Sequence, residues 1–247
     1  MIRKIIEIRD LKREFLMGSE TVHALRGISF DIQAGEFVTI MGASGSGKTT
    51  LLNILGCLDK PTSGSYLLDG VDINKQSRDE LAQLRNRKIG FVFQSYNLLP
   101  RTSAIENVEL PLLYNNTVNS RDRHERAIKA LEAVKLADRF DHMPNQLSGG
   151  QQQRVAIARA LINEPVMVLA DEATGNLDSR TSYEIIALMQ DLNRQGKTIV
   201  FVTHEPDIAT FSSRTITLRD GGILSDQKNE NPALAKETLA ALPATKE

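Results

Sequence analysis

The chain has 247 residues, and its 30 lysines and arginines nearly balance its 31 aspartates and glutamates, which gives a formal net charge of −1. That length suits one large domain or one domain with a subdomain, and the balanced charge disfavours a nucleic-acid partner because binding to a phosphate backbone depends on excess positive charge. The longest apolar runs, residues 166–170 and 185–189, have five residues each, whereas a membrane-spanning helix needs about 20, so we expect no segment that crosses a bilayer.

Charges near the N-terminus and a single cysteine favour the cytosol. Arg3, Lys4 and Glu7 interrupt the region where a secretory signal would need an apolar stretch. Cys57 is the one cysteine, so it cannot form a disulfide within the chain or a cysteine-based zinc site. We therefore expect a cytosolic protein that is not exported.

Short β-rich segments predict at least eight strands, at residues 5–8, 27–32, 37–41, 65–69, 89–93, 166–170, 198–202 and 215–218. The segments 37–41, 166–170 and 198–202 are nearly all apolar, which is typical of strands buried on both faces of a parallel sheet. The earlier segments alternate more between polar and apolar residues, which predicts an antiparallel, half-solvated sheet near the N-terminus.

The middle and the end of the chain differ from this strand-rich pattern. Between residues 105 and 162, apolar residues recur at helical spacing, for example at Ala127, Leu131 and Val134, which predicts a helical subdomain set into an α/β core. From residue 226 onward the sequence is polar and rich in alanine, which indicates a mobile tail. Pro232, followed by residues 233–242, predicts one short amphipathic helix within it.

A glycine-rich loop follows the predicted strand at 37–41. Residues 42–49 fit the pattern G-x-x-x-x-G-K-[ST] between a strand and a helix, so that backbone N–H groups and the helix N-terminus can hold a phosphate. Lys48 would neutralise the β- and γ-phosphates, and the Thr49 hydroxyl would hold Mg²⁺. The loop alone does not distinguish a kinase, a GTPase and an ATPase. The predicted nucleotide contacts here are Gly42, Ala43, Ser44, Gly45, Ser46, Gly47, Lys48, Thr49 and Thr50.

Two carboxylates, Asp171 and Glu172, directly follow the apolar segment 166–170. A buried strand seldom ends this way without a reason, because desolvating a carboxylate is unfavourable unless a cation meets it. Asp171 is placed to reach Mg²⁺ through water, and Glu172, on the other side of the extended chain, can polarise an attacking water. The pair therefore predicts a metal ligand and a general base beside the phosphate loop.

A second cradle for an anion opens another apolar-periodic helix at residues 147–151. Ser148 as N-cap, the N–H groups of Gly149, Gly150 and Gln151, and the helix dipole together form this cradle. An ordinary capped helix would explain Ser148 but not both glycines or the glutamine run. Because one nucleotide needs only one cradle, we predict that this one closes over a nucleotide held by another copy of the chain.

The order of these elements over residues 4–225 resembles the nucleotide-binding subunit of ATP-binding-cassette (ABC) transporters. The resemblance implies an α/β fold, with a P-loop NTPase core, an N-terminal antiparallel β subdomain and an inserted α-helical signature subdomain. It also implies ATP and Mg²⁺ as ligands. The implied boundaries are one ABC ATPase domain at 1–225, its core at 1–94 and 162–225, its helical subdomain at 95–161, and a tail at 226–247.

Further residues take their roles from the same resemblance. Phe15 matches an aromatic residue that stacks on adenine, and Gln94 matches a glutamine that senses Mg²⁺ and the membrane partner. Asp178 lies at the implied dimer seam, and His204 matches a histidine that contacts the γ-phosphate. The candidate catalytic residues are thus Glu172, His204 and Lys48, and the candidate Mg²⁺ ligands are Thr49, Gln94 and Asp171.

Within the family, four segments are most similar to the ATPases of lipoprotein-releasing and macrolide-exporting transporters: residues 52–61, 91–94, 106–111 and 149–156. This similarity implies a permease partner that has few transmembrane helices and a large extracytoplasmic domain. One departure is Ala173, which stands where the family has proline. Because proline would fix φ near −65°, we expect a looser backbone after Glu172 and slightly altered kinetics rather than lost activity.

The implied mechanism is ATP hydrolysis coupled to closing and opening of a dimer. Two copies would bind head to tail around two ATP molecules, each held by Lys48 and Thr49 of one copy and by Ser148 and Gly150 of the other. Movement would reach the permease through residues 94–99. In that segment, Tyr96, Leu98 and Leu99 are predicted to form an exposed apolar edge, with ordinary core packing as the open alternative.

These implications place the chain at the cytoplasmic face of the inner membrane, held there by the permease, with no nucleic-acid partner. They leave open a periplasmic adaptor beyond the permease. They also leave open a different class of function, in which the ATPase belongs to a non-transporting complex that regulates a membrane or cell-wall remodelling partner. Ribosomal and DNA-repair relatives fit less well, because the chain has one set of motifs and no heptad run.

Overall fold

The computed structural model of the chain describes residues 3–114 and 118–243. The predicted core begins at residue 1 and the predicted tail ends at residue 247, and both positions lie outside the described residues. The same is true of residues 115–117 in the predicted helical subdomain. The strands are β1 (Lys4–Met17), β2 (Glu20–Gln33), β3 (Phe37–Met41), β4 (Ser63–Leu68), β5 (Val71–Asp72), β6 (Ile89–Phe93), β7 (Met167–Asp171), β8 (Thr198–Val202), β9 (Arg214–Arg219) and β10 (Gly222–Lys228).

The larger sheet has the strand order β10-β9-β3-β8-β7-β6. All of its neighbouring pairs are parallel except β9 with β10. Successive side chains of a strand face opposite sides of the sheet, and in β8 Ile199 and Phe201 join one apolar core while Val200 and Val202 join another. Burial on both faces explains why these strands are nearly all apolar, and it confirms the predicted parallel core.

The smaller sheet has the order β2-β1-β4-β5, and its pairs are antiparallel, as predicted. Its first two strands have 14 residues each, far longer than the predicted segments 5–8 and 27–32. The extra length is polar and partly exposed, and cross-strand ion pairs hold it together. Arg9 Nη2 donates to Asp31 Oδ2 at 3.0 Å, and His23 Nδ1 lies 3.0 Å from Glu14 Oε1. Apolar periodicity could not detect strands paired in this way.

Eight helices lie among the described residues: α1 (Lys48–Leu55), α2 (Arg78–Lys88), α3 (Ala104–Leu113), α4 (Ser120–Ala133), α5 (Gly149–Leu161), α6 (Ser179–Arg194), α7 (Pro206–Ala209) and α8 (Ala235–Ala241). Helices α3, α4 and α5 pack on one another between β6 and β7 in the chain. Their apolar faces are buried, including Ala127 and Leu131 of α4. No helix in the part of the chain that the structure describes is long and apolar enough to span a membrane.

Residues 226–243 are packed on the core rather than mobile, contrary to expectation. Strand β10 runs through the predicted boundary at residue 225, and Asp226 receives two 2.7 Å hydrogen bonds from Arg214. Beyond it, the carboxamide of Gln190 on α6 donates to Ala233 O and accepts from Ala235 N. Helix α8 lies within the predicted segment 233–242, and Ala235 is fully buried. Hydrogen bonding to main-chain groups holds this polar segment, and composition does not reveal such contacts.

Candidate nucleotide-binding site

The glycine-rich loop connects β3 to α1 and folds tightly against the rest of the core. Gly47 has φ of 101°, and a Cβ there would lie 2.6 Å from Ala24 O, so only glycine fits this position. Lys48 Nζ donates to the loop carbonyls of Gly42 at 2.6 Å and Ala43 at 2.9 Å. The ammonium group is thus held over the loop, where it can exchange these carbonyls for a phosphate.

A cavity of about 940 Å³ opens above this loop. It brings together nearly all the predicted loop residues with Glu172 and His204, which follow two other strands of the same sheet. Ser46 is an exception, since its side chain is buried beneath the loop and its carbonyl accepts from Gly221 N. Sequence reasoning missed Val22, His23, Ala24, Met41 and Thr217. The cavity is lined by Val22, His23, Ala24, Met41, Gly42, Ala43, Ser44, Gly45, Gly47, Lys48, Thr49, Thr50, Glu172, His204 and Thr217.

Glu172 and His204 form a direct contact at the edge of this cavity. Glu172 Oε1 lies 2.7 Å from His204 Nδ1, and Glu172 N donates to Val202 O at 2.8 Å. Glu172 also has φ of 44°, in the left-handed region that is unfavourable for a side chain with a Cβ. The bond from Glu172 N to Val202 O helps to hold this conformation directly after β7.

Asp171 ends β7 beside the cavity, and its environment suits a cation. Burial raises the pKa of the Asp171 carboxyl, the neighbouring Glu172 carboxylate raises it further, and Lys48 opposes both effects. A metal ion would relieve the unfavourable desolvation and repulsion of this carboxylate. The chemistry of the Asp171 carboxylate is thus compatible with Mg²⁺; of the predicted Mg²⁺ ligands, Thr49 lines the cavity and Asp171 does not.

Gln94 follows β6 and does not line the cavity. Its Nε2 donates to Asn176 Oδ1 at 3.1 Å, and Asn176 Nδ2 donates back to Gln94 O at 3.1 Å. A Cβ on Gly175 would lie 2.7 Å from Gln94 Nε2. The glutamine is therefore locked to the turn that follows Glu172, and it would have to leave Asn176 in order to contact a metal.

The second predicted cradle, Ser148 to Gln151, lies at the start of α5 and outside the cavity. Ser148 is the N-cap: Gln151 N donates to Ser148 Oγ, and Ser148 N donates to Gln151 Oε1 at 2.9 Å. The first turns of α1, α5 and α6 carry no acidic residue, whereas those of α2, α3, α4, α7 and α8 do. Since acids there would offset the positive end of the helix dipole, no carboxylate of the first turn opposes an anion at α1 or α5.

Comparison with known proteins identifies the family. Residues 25–175 match the family model described as ABC transporter. The chain belongs to the ABC transporter family. It is 51% identical to the ABC transporter ATP-binding protein YvrO of Bacillus subtilis over 226 residues, which is 92% of this chain and 98% of YvrO. It is 52% identical to the macrolide export protein MacB of Brucella melitensis over 95% of this chain but 36% of MacB.

Solved structures agree with this assignment. A dimeric post-hydrolysis structure of the cassette MJ0796 with ADP and phosphate is 48% identical, with a TM-score of 0.81 over 90% of this chain and 98% of that chain. CbiO1 of Clostridium perfringens, part of the transporter complex cbiONQ, is 30% identical with a TM-score of 0.81 over 97% of this chain and 92% of that chain. The protein is therefore an ABC ATPase that binds ATP, and its sequence is close to MacB-type ATPases.

Two remaining predicted residues of the ABC ATPase do not line the cavity. Asp178 caps α6 and accepts hydrogen bonds from Thr181 N at 3.0 Å and from the Thr181 hydroxyl, which lower the pKa of its carboxyl. Phe15 pairs across β1 and β2 with Val22, which does line the cavity. The Arg13 guanidinium lies 4.4 Å from the centre of the Phe15 ring. The ring is thus at the cavity's margin, while Asp178 is exposed for contact with another molecule.

Proposed function

We propose that this ABC ATPase hydrolyses ATP at sites shared by two copies of the chain. The hydrolysis would power export or extraction of a substrate, of the macrolide, peptide or lipoprotein type, through a permease with a large extracytoplasmic domain. The main support for this proposal is that the two predicted phosphate-binding segments lie in different places on the molecule. The phosphate loop shares one cavity with Glu172 and His204, whereas the cradle at Ser148 lies outside it. A second copy would supply that cradle.

The residues in the cavity would have different roles in hydrolysis. Lys48 would turn from the carbonyls of Gly42 and Ala43 toward the β- and γ-phosphates and offset their charge. Glu172 would accept a proton from the attacking water. His204, now 2.7 Å from Glu172, would hold the γ-phosphate and orient the carboxylate. Ser148 and Gly150 of the second copy would close over the phosphates.

Mg²⁺ would be held by the Thr49 hydroxyl, by Asp171 and by Gln94 after release from Asn176. When bound, it would neutralise phosphate charge that develops during hydrolysis. The balanced net charge of −1 allows two copies to approach without large repulsion. Loss of the cleaved phosphate would then weaken the seam and open the dimer.

A second cavity, of about 980 Å³, lies between α2, α3, α5 and β6 and would provide a surface for the permease. Leu99 and Tyr114 line it and are 46% and 80% exposed. Leu98, predicted to be exposed, instead packs against the core, and Tyr96 is half-buried. The predicted edge is therefore partly wrong: of its three residues, Leu99 is the exposed one, and Tyr114 extends the surface.

The charge of this groove indicates what it would accept. Among the lining residues, all within the described part of the chain, there are three arginines and no carboxylate: Arg85, Arg87 and Arg159. Burial lowers the pKa of the Arg159 guanidinium, which donates to the carbonyls of Tyr96 and Asn97. We expect a cytoplasmic helix of the permease that presents apolar side chains to Leu99 and Tyr114 and a carboxylate to the arginines. Such docking would hold the ATPase at the cytoplasmic face of the inner membrane.

Replacing Leu99 by aspartate should separate the ATPase from its permease without affecting nucleotide binding. A carboxylate here would lose the apolar contact, and we expect recovery of the complex to fall by about 10-fold or more. The measurement is co-purification with the permease from detergent-solubilised membranes, together with ATP affinity of the isolated subunit. Leu224→Asp is the control, since Leu224 is 60% exposed on β10 and lies outside the groove. Equal recovery of both variants would contradict docking in the groove.

Transport by the purified complex tests the other class of function. A complex that hydrolyses ATP but moves no cargo would favour a non-transporting complex that regulates a membrane or cell-wall remodelling partner.

A further inference from the structure

Gln153 is a fully buried polar residue in the second turn of α5. Its Nε2 donates to Ala173 O at 2.5 Å and is 3.3 Å from Phe93 O. Ala173 directly follows Glu172, and Phe93 directly precedes Gln94. One side chain of α5 therefore contacts the main chain beside two candidate site residues that follow two different strands.

Helix α5 is also fixed to the β6 segment at two other places. A Cβ on Gly90 would lie 2.3 Å from Ala160 O, so helix and strand are in direct backbone contact there. Arg159 donates to Tyr96 O at 2.8 Å and to Asn97 O at 2.6 Å. These contacts hold α5 and residues 90–97 together as a unit. Gln153 differs from them because it also reaches the turn that carries Glu172.

The chemistry of Gln153 favours a role beyond packing. Its Oε1 is buried and has no hydrogen-bond partner among the residues that the structure describes. An unpartnered buried carbonyl is destabilising, but an apolar side chain here would instead leave the main-chain carbonyl of Ala173 without its donor. The donated hydrogen bonds are therefore what holds the carboxamide here, and the main-chain carbonyl of Ala173 is its shortest contact.

We propose that Gln153 is a positioning residue for Glu172, linking α5 to the turn after β7. The inference rests on the proposed function, in which the start of α5 contacts the nucleotide held by the partner copy. A displacement of α5 on that contact is carried by the Gln153–Ala173 hydrogen bond to the backbone of Glu172. Gln153 does not line the nucleotide cavity, so it acts on hydrolysis through Glu172 and not through ATP.

Replacing Gln153 by methionine tests this link, because methionine keeps the length of the side chain and removes its donor. We expect kcat to fall by about 10- to 100-fold, since small misplacements of a catalytic group have effects of that size. KM and the affinity of the subunit for ATP should stay within about twofold. The matched control is Gln152→Met, because Gln152 Nε2 donates within the same helix end, to Leu147 O at 3.1 Å. Dimer formation with ATP is measured in the Glu172→Gln background by size exclusion.

The outcomes separate this inference from the proposed function. A dimer that forms normally in the Gln153→Met variant, with kcat reduced only in that variant, supports the link. An unchanged kcat, an equal loss in Gln152→Met, or a parallel loss of ATP affinity would overturn it. Failure of the otherwise unmodified Glu172→Gln protein to dimerise would instead count against the shared site itself.

A second variant, Gln153→Glu, provides an independent test of the hydrogen bond if the Gln153→Met protein does not fold. A buried carboxyl without a cation has a raised pKa, so its protonated form can donate to Ala173 O. Its kcat relative to the unmodified protein should therefore rise as the pH is lowered from about 8.5 to about 6.5. A ratio that does not change with pH would refute the role of the donated hydrogen bond.

Discussion

Replacing Glu172 by glutamine should lower ATP hydrolysis by at least about 100-fold, because a general base commonly contributes that much. The substitution keeps the shape of the side chain and its contact with His204, which lies 2.7 Å away. The phosphate loop and Lys48 are unaffected, so ATP should bind as before. Because hydrolysis opens the dimer in the proposed cycle, the variant should accumulate as an ATP-bound dimer.

Phosphate release and size exclusion with ATP and Mg²⁺ together test this expectation. Glu205→Gln is the matched control, since Glu205 is the next carboxylate along the chain after His204 and does not line the cavity. It should hydrolyse ATP normally and show no trapped dimer. A Glu172→Gln protein with more than half of the normal turnover would show that another group is the base.

The parts of the fold that could be predicted are those determined by local chemistry. Strands β3, β7 and β8 are apolar because both of their faces are buried, and the phosphate loop is recognisable because Gly47 and Lys48 have fixed positions in it. The polar halves of β1 and β2 could not be found in this way. Their pairing depends on partners such as Arg9 and Asp31, which are 22 residues apart.

In the candidate site, too, contacts between residues far apart in the chain could not be predicted from the sequence. Glu172 and His204 were each expected from position, but their contact joins residues 32 apart in the chain. Val22, Ala24 and Thr217 line the cavity through sheet topology and carry no motif. Gln153 lies within a glutamine run that reads as part of a helix surface. Its role depends on carbonyls 20 and 60 residues away, which only the packing of α5 on the sheet brings within reach.

Replacing Ser148 by arginine should block ATP-dependent dimerisation while leaving ATP binding to the single subunit intact. Ser148 is exposed at the start of α5, outside the cavity that contains Lys48. A long cationic side chain at this seam would clash with the second copy and occupy the space for its nucleotide. Loss of a central interface contact of this kind should weaken the dimer by about 30-fold or more, and hydrolysis should fall with it.

The experiment must separate this clash from the loss of a helix cap, which by itself destabilises a helix by about 0.5–2 kcal/mol. Ser77→Arg provides that control, because Ser77 is also exposed and caps α2 with the same reciprocal bonds, here to Glu80. Both variants should lose similar thermal stability, and only Ser148→Arg should lose the ATP-bound dimer in the Glu172→Gln background. If Ser148→Arg instead abolished nucleotide binding by the monomer, Ser148 would belong to the cavity of its own chain, and the shared site would have to be abandoned.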